Sequence, residues 1–239
     1  MTPWDRMLAG VALTYLLFKA LTSRRMAFGR AVGYWAMWPG MDPRPFAGTG
    51  TKKTVFFVPL MGWGAAKMAL GAALLSLHAG MAAVDIVRVF VGIGLLVHFG
   101  LCDVLAGFWQ ARGVAVERLF VNPAASRSLG EFWGRRWNLA FHAVAREFVF
   151  KPIARRWGAI AATLGTFFFS GLLHELLLSV PVGAGYGLPT GYFLLHGLLV
   201  LAERRWSIQG RVWTLFWVLA PAPMLFHPWF VKAIILPLV

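Results

Sequence analysis

Two short segments of the chain combine residue types that could carry out chemistry, and the first contains a histidine. Ser170 and His174 lie four residues apart in an apolar run over 157–180, and Glu175 follows the histidine directly. Residues four apart share one face of a helix, whereas Glu175 points about 100° away from His174. Ionisable side chains are costly in hydrocarbon, so inside an apolar span they mark a functional site or an internal polar pathway.

A neutral imidazole at this depth suits general-base chemistry. A neutral alcohol is a poor nucleophile, and its attack on an acyl carbon needs a base beside the hydroxyl group. Histidine can act as that base near neutral pH, and burial favours its neutral form. A hydrogen bond between two membrane helices would explain His174 equally well. The segment alone leaves both interpretations open.

The second segment, residues 132–138, reads FWGRRWN. The amide of Asn138 could donate a hydrogen bond to a developing oxyanion or to a substrate carbonyl. The guanidinium groups of Arg135 and Arg136 suit phosphate. An aromatic and basic helix at the membrane interface has the same composition, so this segment alone does not establish a site.

A further histidine, His196, has Glu203 two helical turns after it. The pair would allow a proton relay or a second substrate contact, but a structural hydrogen bond is the favoured interpretation. Structural roles are also predicted for three ionisable residues of another span: Asp85, His98 and Asp103. The spacing of the histidines matches no HxxxH or HExxH pattern, and no metal site is predicted.

The composition predicts a polytopic, all-α membrane protein with a single domain over 1–239. Hydrophobic residues make up 59% of the chain and charged residues only 13%, against about 25% charged residues in soluble domains. The net charge of +14 would suggest nucleic acid as a partner of a soluble protein. Here the charges flank apolar spans and no nucleic-acid motif is present, so contacts with anionic lipid and an anionic cytosolic substrate explain them better.

The apolar spans are joined by loops that are alternately basic and free of Lys and Arg. The spans are predicted at 7–22, 55–79, 84–110, 157–180, 188–202, 212–226 and 229–239, the last being short for a crossing. Lys and Arg are concentrated in 19–53, 111–156 and 203–211, and none occurs in 80–84 or 181–187. The positive-inside rule therefore places the basic segments in the cytoplasm and the N-terminus outside. The first span has its positive charge behind it, which predicts a retained helix and not a cleaved signal.

Two basic segments, 26–40 and 131–150, are rich in aromatic residues and are predicted to be interfacial or re-entrant amphipathic helices. The single cysteine, Cys102, excludes a disulfide within the chain. These features fit a bacterial inner membrane, and an endoplasmic reticulum membrane would give the same signature.

Four motifs occur in a fixed order along the spans. They are GMDPRPF at 40–46, SLGEFWGRRWN at 128–138, SGLLHE at 170–175 and FLLHG at 193–197. With these motifs, the chain resembles the wax-synthase-like branch of the membrane-bound O-acyltransferase (MBOAT) family over about residues 33–218. The resemblance implies a bundle of about 6–8 transmembrane helices, with interfacial or re-entrant helices, that encloses a tunnel.

The resemblance also implies roles for individual residues. His174 looks like the catalytic base and Asn138 like its partner. The substrate contacts would come from Trp133, Arg135, Arg136, Trp137, Ser170, Glu175 and His196. Acyl-CoA would enter from the cytosolic side, and no cofactor is expected beyond the CoA of this donor. The chain is shorter than the plant enzymes, so the identity of the acceptor does not carry over.

The function predicted from the sequence is the acyl-CoA-dependent esterification of a hydrophobic alcohol within the membrane. The alcohol would be a long-chain fatty alcohol, giving a wax ester, or a sterol or another hydroxylated lipid. A proton-coupled transporter or lipid flippase is the alternative from another class, although the chain shows no internal repeat of the kind many transporters carry. A non-catalytic relative that binds lipid is the third interpretation.

Overall fold

The computed structural model describes residues 1–23, 28–48 and 57–239, and every regular element in these residues is helical. The α-helices are α1 Pro3–Thr22, α2 Phe28–Met37, α3 Phe57–Ser76, α4 Ala82–Ile93, α5 Cys102–Ala111, α6 Leu129–Glu131, α7 Leu139–Ala145, α8 Lys151–His174, α9 Val180–Val182, α10 Leu188–Trp206, α11 Arg211–Leu219, α12 Ala222–Leu225 and α13 Pro228–Phe230. The π-helical segments are Gly94–Leu101, Phe132–Arg136, Arg146–Phe150, Glu175–Ser179 and Val231–Ile235. Short 3₁₀ turns occur at Pro123–Ala125 and Leu236–Leu238.

Among the described residues, 3 helices are long and apolar enough to cross a membrane: Phe57–Ser76, Ala82–Ala111 and Leu139–Val182. A fourth span results if Arg211–Leu225 and Pro228–Leu238, bent by 66°, count as one. The all-helical membrane class predicted from the sequence is thereby confirmed. Helices α1 and α10 cover the predicted spans 7–22 and 188–202, but neither is among these candidate membrane spans. The larger number of spans and the enclosed tunnel stay predictions.

Parts of the predicted basic loop 19–53 and of the predicted span 55–79 lie outside the described residues, as do the side chains of 28–30. Within segment 26–40, α2 is the helix that the structure describes. Segment 131–150 contains α7 between two π-helical stretches. The interfacial position of both segments and the orientation of the chain stay predictions.

The described chain divides into two compact units. The first consists of Met1–Leu17 and Val121–Pro237, and the second of Phe18–Phe120 and Leu238–Val239. The single domain predicted over 1–239 stays a prediction.

In the second unit, α3 packs closely against the continuous helix 82–111 through glycines. A Cβ atom added at Gly71 would lie 2.7 Å from the carbonyl oxygen of Gly92 and 2.7 Å from the backbone nitrogen of Leu96. Gly64 also lies close to helix 82–111, because a Cβ added there would be 2.9 Å from the backbone nitrogen of Val104. Helices in lipid associate mainly by such close backbone contact, since lipid tails are as apolar as leucine.

Replacement of Gly71 by alanine is expected to lower the melting temperature of the purified protein in detergent. The new methyl group meets backbone atoms that cannot rotate away, and overpacking of this kind costs about 1–3 kcal/mol. Gly62→Ala is the matched control, because Gly62 lies on the same helix and a Cβ added there would have no atom within 4 Å. Equal melting temperatures for the two variants would show that the glycine contact does not hold the helices together.

A buried lysine organises the chain before the GMDPRPF motif of the second unit. Lys19 is 0% exposed. Its ammonium group donates to the carbonyl oxygens of Tyr34 at 2.7 Å, Trp38 at 2.6 Å and Gly40 at 2.8 Å. These bonds replace the water that the charge loses on burial. Lys19 thereby fixes the backbone between α2 and the first residue of the motif.

Asp103 is neutralised by two cations within the same unit. Its carboxylate accepts hydrogen bonds from Arg118 at 2.8 Å and from Lys67 at 2.6 Å. A buried carboxylate needs such partners, because an unpaired charge in a low-dielectric interior is strongly destabilising. The arrangement agrees with the structural role predicted for Asp103.

In the first unit, α8 packs against α10, again with glycines at the contact. A Cβ at Gly171 would lie 2.7 Å from the Cα of Thr190. Near its start, α8 is broken at Gly158, where φ is +80° and ψ is 175°. Glycine tolerates this positive φ without a steric penalty. The break separates the basic beginning of α8 from the apolar part that ends at His174, and it coincides with the predicted start of the span at 157.

Candidate active site

His174 is the last residue of α8, and the π-helical segment Glu175–Ser179 follows it. Its Nδ1 lies 2.7 Å from the carbonyl oxygen of Ser170. A carbonyl oxygen can only accept, so Nδ1 carries the proton of the neutral ring and Nε2 keeps its lone pair. The Phe193 ring packs on the imidazole with a centroid distance of 4.4 Å. The His174 imidazole is therefore oriented with Nε2 as its acceptor atom, and it lies beside a π-helical turn of the kind often found at functional sites.

Ser170 lies one turn before His174 on the same face, as predicted from the spacing. The contact between them uses the backbone carbonyl of Ser170 and not its hydroxyl group. The side chain of Ser170 is buried. Its predicted contact with substrate stays a prediction.

Glu175 caps the beginning of α10. Its Oε1 accepts the backbone N–H of Gly187 at 2.9 Å, the backbone N–H of Thr190 at 3.0 Å and the Thr190 hydroxyl at 2.9 Å. The first N–H groups of a helix have no partner within the helix, and a carboxylate there also interacts well with the helix dipole. Glu175 thus anchors α10 beside His174. A contact between Glu175 and substrate stays a prediction.

Asn138 begins α7 in a left-handed conformation, with φ 46° and ψ 58°. Its side-chain oxygen accepts the backbone N–H of Phe141 at 3.2 Å. Asparagine is among the few residues that adopt this backbone conformation, and strained residues of this kind cluster at functional sites. Because the oxygen is used in the cap, the amide nitrogen of Asn138 is the atom that can donate to a ligand.

The two predicted catalytic residues lie on helices that pack against each other. Helix α7 begins after Asn138, and its Phe141 stacks on Phe169 of α8 with a centroid distance of 6.1 Å and an angle of 12°. Helix α8 ends at His174. The structure therefore places both residues within the first unit. Their joint action in one active site stays a prediction.

The two arginines of FWGRRWN differ in their surroundings. Arg136 forms an ion pair with Glu131 at 2.7 Å and donates to the carbonyl oxygens of Val121 at 3.1 Å and Asn122 at 3.3 Å. The Arg136 guanidinium therefore holds residues 131–136 against residues 121–122 through these bonds. Arg135 is exposed, and among the described residues it forms no ion pair. Arg135 is consequently the better placed of the two for an anionic ligand, although both predicted contacts stay predictions.

The pKa of Glu131 is held below its ordinary value of 4.5 by the backbone N–H of Arg127 and then by the side chain of Arg136. A lowered pKa gives stability that is fully present above the unfolded value and is lost as pH falls through the folded one. We expect the melting temperature of the wild type to exceed that of Glu131→Gln by a constant amount above about pH 5. The difference should shrink below that pH and correspond to about 1 kcal/mol or less, because the pair is partly exposed. A difference that grows on acidification would contradict this role.

An aromatic cluster connects the FWGRRWN segment to His174. The Trp133 ring contacts Phe193 at 5.5 Å, Phe167 at 6.3 Å and His196 at 5.5 Å, measured between centroids. Phe193 is also the side chain that packs on His174. Trp137 is oriented differently and stacks on Phe132 at 5.4 Å. The predicted ligand contacts of both tryptophans stay predictions.

His196 is fully buried on α10. Its Nε2 donates to the carbonyl oxygen of Trp217 at 2.9 Å. The Tyr192 ring packs on the imidazole with a centroid distance of 4.2 Å. This is the structural hydrogen bond that was favoured from the sequence. A contact of His196 with substrate stays a prediction.

Glu203 has a role that was not predicted from the sequence. Its buried carboxylate accepts the backbone N–H of Leu129 at 2.7 Å, that of Gly130 at 3.0 Å and the indole N–H of Trp213 at 2.9 Å. The first two are donors at the start of α6, directly before FWGRRWN. Glu203 therefore attaches that segment to α10. The available signal was a carboxylate near the end of an apolar span, where burial requires hydrogen-bond donors.

The described residues contain no group of three or more His, Cys, Asp or Glu side chains that could hold a metal ion. The polar groups around His174 are instead helix caps and backbone contacts. His174 offers an oriented imidazole, and Asn138 offers an amide N–H that can donate. An imidazole can remove a proton from a hydroxyl group, and an amide N–H can stabilise negative charge on a carbonyl oxygen.

Residues 116–195 match the Membrane bound O-acyl transferase family. The resemblance predicted from the motifs is confirmed. The matched range includes both Asn138 and His174. It also includes α7 and α8, the two packed helices on which these residues lie.

Plant proteins named as acyltransferases are also similar to this chain. Probable long-chain-alcohol O-fatty-acyltransferase 7 of Arabidopsis thaliana is 32% identical over 144 residues, which cover 50% of this chain and 42% of the relative. Long-chain-alcohol O-fatty-acyltransferase of Simmondsia chinensis is 32% identical over 111 residues, covering 42% and 32%. Acyl-CoA–sterol O-acyltransferase 1 of Arabidopsis thaliana is 31% identical over 160 residues, covering 56% and 46%. In each case the match spans less than half of the relative.

Proposed function

We propose that this protein is an acyl-CoA-dependent O-acyltransferase that esterifies a hydrophobic alcohol within the membrane. The observation that carries the proposal is the His174 imidazole, whose Nδ1 is fixed on the Ser170 carbonyl so that Nε2 can act as a base. The match over 116–195 and the names of the relatives support the same reaction class.

In the proposed reaction, His174 Nε2 takes the proton of the alcohol while the alcohol oxygen bonds to the thioester carbon. The π electrons of the carbonyl move onto its oxygen, where the Asn138 amide N–H stabilises the negative charge. The tetrahedral intermediate then collapses, the C–S bond breaks, and the CoA thiolate takes the proton from the imidazolium. The products are an ester and free CoA, and His174 returns to its neutral form.

The reaction is proposed without a covalent acyl-enzyme. Ser179 and His227 lie 3.3 Å apart, but His227 Nδ1 accepts the backbone N–H of Phe230 at 3.2 Å. The neutral ring therefore carries its proton on Nε2, which faces Ser179, and it cannot take a proton from that hydroxyl group. Cys102 is buried, whereas reactive cysteines lie in partly exposed, electropositive surroundings.

The donor is proposed to bind with its phosphates near the basic segment 111–156, where Arg135 is exposed. The acceptor is proposed to be a long-chain alcohol or a sterol, the two classes that the names of the relatives contain. The protein would lie in a bacterial inner membrane, or in the endoplasmic reticulum of a eukaryote, with its basic segments in the cytoplasm. A bundle of about 6–8 spans around a tunnel belongs to this proposal.

A turnover assay on the purified protein tests the proposal. A labelled long-chain acyl-CoA is offered with a panel of fatty alcohols, sterols and short hydroxylated acceptors, and both ester and free CoA are measured. We expect one class of alcohol to give ester and CoA in equal amounts. Well-folded protein that releases no CoA with any acceptor would contradict the proposal and favour the transporter or lipid-binding alternatives.

A further inference from the structure

The indole nitrogen of Trp133 is buried, and among the described residues it has no hydrogen-bond partner. Leaving a buried donor unsatisfied costs about 1–3 kcal/mol. The great majority of buried polar groups in native proteins are satisfied, so an exception at a candidate site calls for an explanation. None of the steps proposed above uses this N–H group.

The position of Trp133 connects it to the proposed base. The rings of Trp133 and His174 both pack on Phe193, at centroid distances of 5.5 Å and 4.4 Å. The other ring neighbours of Trp133 include Phe132 and Phe167, which offer no acceptor, and His196, whose buried Nδ1 likewise forms no hydrogen bond with any described residue. A donor without a partner and a base with a lone pair thus lie on the same phenylalanine.

We propose that Trp133 is a further catalytic residue, whose indole N–H donates to the carbonyl oxygen of the acyl thioester. This inference rests on the proposed acyl transfer. An indole N–H can only donate, so its partner in the substrates must be an acceptor oxygen. Donation to the alcohol oxygen would weaken the nucleophile, whereas donation to the carbonyl oxygen makes the carbon more electrophilic. The carbonyl is therefore the chemically favoured partner.

The hydrogen bond strengthens as the reaction proceeds. When the alcohol oxygen bonds to the acyl carbon, the π electron pair moves onto the carbonyl oxygen, and the Trp133 N–H then faces an oxyanion. When the C–S bond breaks, the pair returns to form the ester carbonyl. Trp133 gains and loses no proton in this cycle. It acts with the Asn138 amide, and the aromatic surroundings keep the bond in a low-dielectric environment.

The inference is tested with two non-reactive acyl-CoA analogues of equal chain length. In the first, a methylene group replaces the sulfur and the carbonyl remains, giving a ketone. In the second, the sulfur remains and a methylene group replaces the carbonyl, giving a thioether. We expect the wild type to bind the ketone at least about tenfold more tightly, because each hydrogen bond to the carbonyl oxygen contributes an effect of about this size. Trp133→Phe should bind the ketone about tenfold more weakly than the wild type does, while its affinity for the thioether is unchanged.

Trp217→Phe is the matched control. The indole nitrogen of Trp217 is likewise buried without a partner among the described residues. Its ring, however, packs on Trp213 and Phe216. Loss of this N–H should leave the preference for the ketone unchanged. In turnover, Trp133→Phe should lower kcat by about 10–100-fold with little change in the KM for the alcohol.

Trp133 replaced by benzothienylalanine provides a second variant if Trp133→Phe does not fold. Sulfur there takes the place of the N–H group in a ring of nearly the same shape, so only the donor is lost. A preference for the ketone as large as that of the wild type in either folded variant would overturn the role of Trp133, and so would a wild type that binds both analogues equally. A wild type that binds neither analogue and forms no ester would instead overturn the proposed function itself.

Discussion

Replacement of His174 by glutamine is expected to lower the rate of ester formation by about 10²–10⁴-fold, the contribution typical of a positioned general base. Glutamine has a similar polarity, but it cannot take a proton from the alcohol at neutral pH. The acyl donor should still bind, because the basic segment 111–156 is unchanged. The decrease should therefore be found in kcat, measured as ester formed from labelled acyl-CoA, with little change in the KM for the donor.

His78→Gln is the control for this experiment. His78 lies in the second unit with 62% of its side chain exposed. The same chemical change at this position should leave turnover unaffected. If His174→Gln retained more than half of the wild-type rate, the base would have to be another group. The His174 tautomer fixed by the Ser170 carbonyl would then not contribute to catalysis.

Much of the membrane architecture could be predicted from the sequence, because apolar runs report directly on burial in lipid. The predicted spans 84–110 and 157–180 lie within helices 82–111 and 139–182. The close packing of α3 was not predicted, because Gly64 and Gly71 look like ordinary small residues in an apolar run. Their importance comes from the backbone of a helix more than twenty residues away, which no local pattern specifies.

In the candidate site, too, contacts between residues close in sequence could be predicted, whereas contacts between residues far apart in sequence could not. The proximity of Ser170 to His174 follows from a spacing of four residues and was predicted correctly. The role of Glu175 depends on partners 12 to 15 residues away, and that of Glu203 on partners 10, 73 and 74 residues away. A carboxylate in an apolar span signals that donors must exist, but it does not identify them. Arg136 likewise uses carbonyl oxygens of a segment that carries no sequence signal.

Replacement of Glu203 by alanine is expected to destabilise the protein by about 2–4 kcal/mol, because one buried and two partly buried N–H groups lose their charged acceptor at once. The affected donors of Leu129 and Gly130 begin the segment that leads into FWGRRWN. The loss should therefore also reduce ester formation at temperatures where the variant is still folded. Melting temperature and turnover are measured on the same detergent preparation, so that stability and activity can be separated.

Two further variants test whether the effect of Glu203→Ala comes from the hydrogen bonds of Glu203 and from its negative charge. Glu147→Ala removes another carboxylate, whose ion pair with Lys151 is largely exposed, and surface pairs contribute at most about 1 kcal/mol. Glu203→Gln keeps one acceptor oxygen but turns an NH₂ group towards backbone donors, so its melting temperature should fall between those of the wild type and Glu203→Ala. If Glu203→Gln matched the wild type, the negative charge would be dispensable. If Glu203→Ala were no less stable than Glu147→Ala, the three hydrogen bonds would not anchor the segment, and the position of Trp133 and Asn138 would depend on packing against α8 and α10 alone.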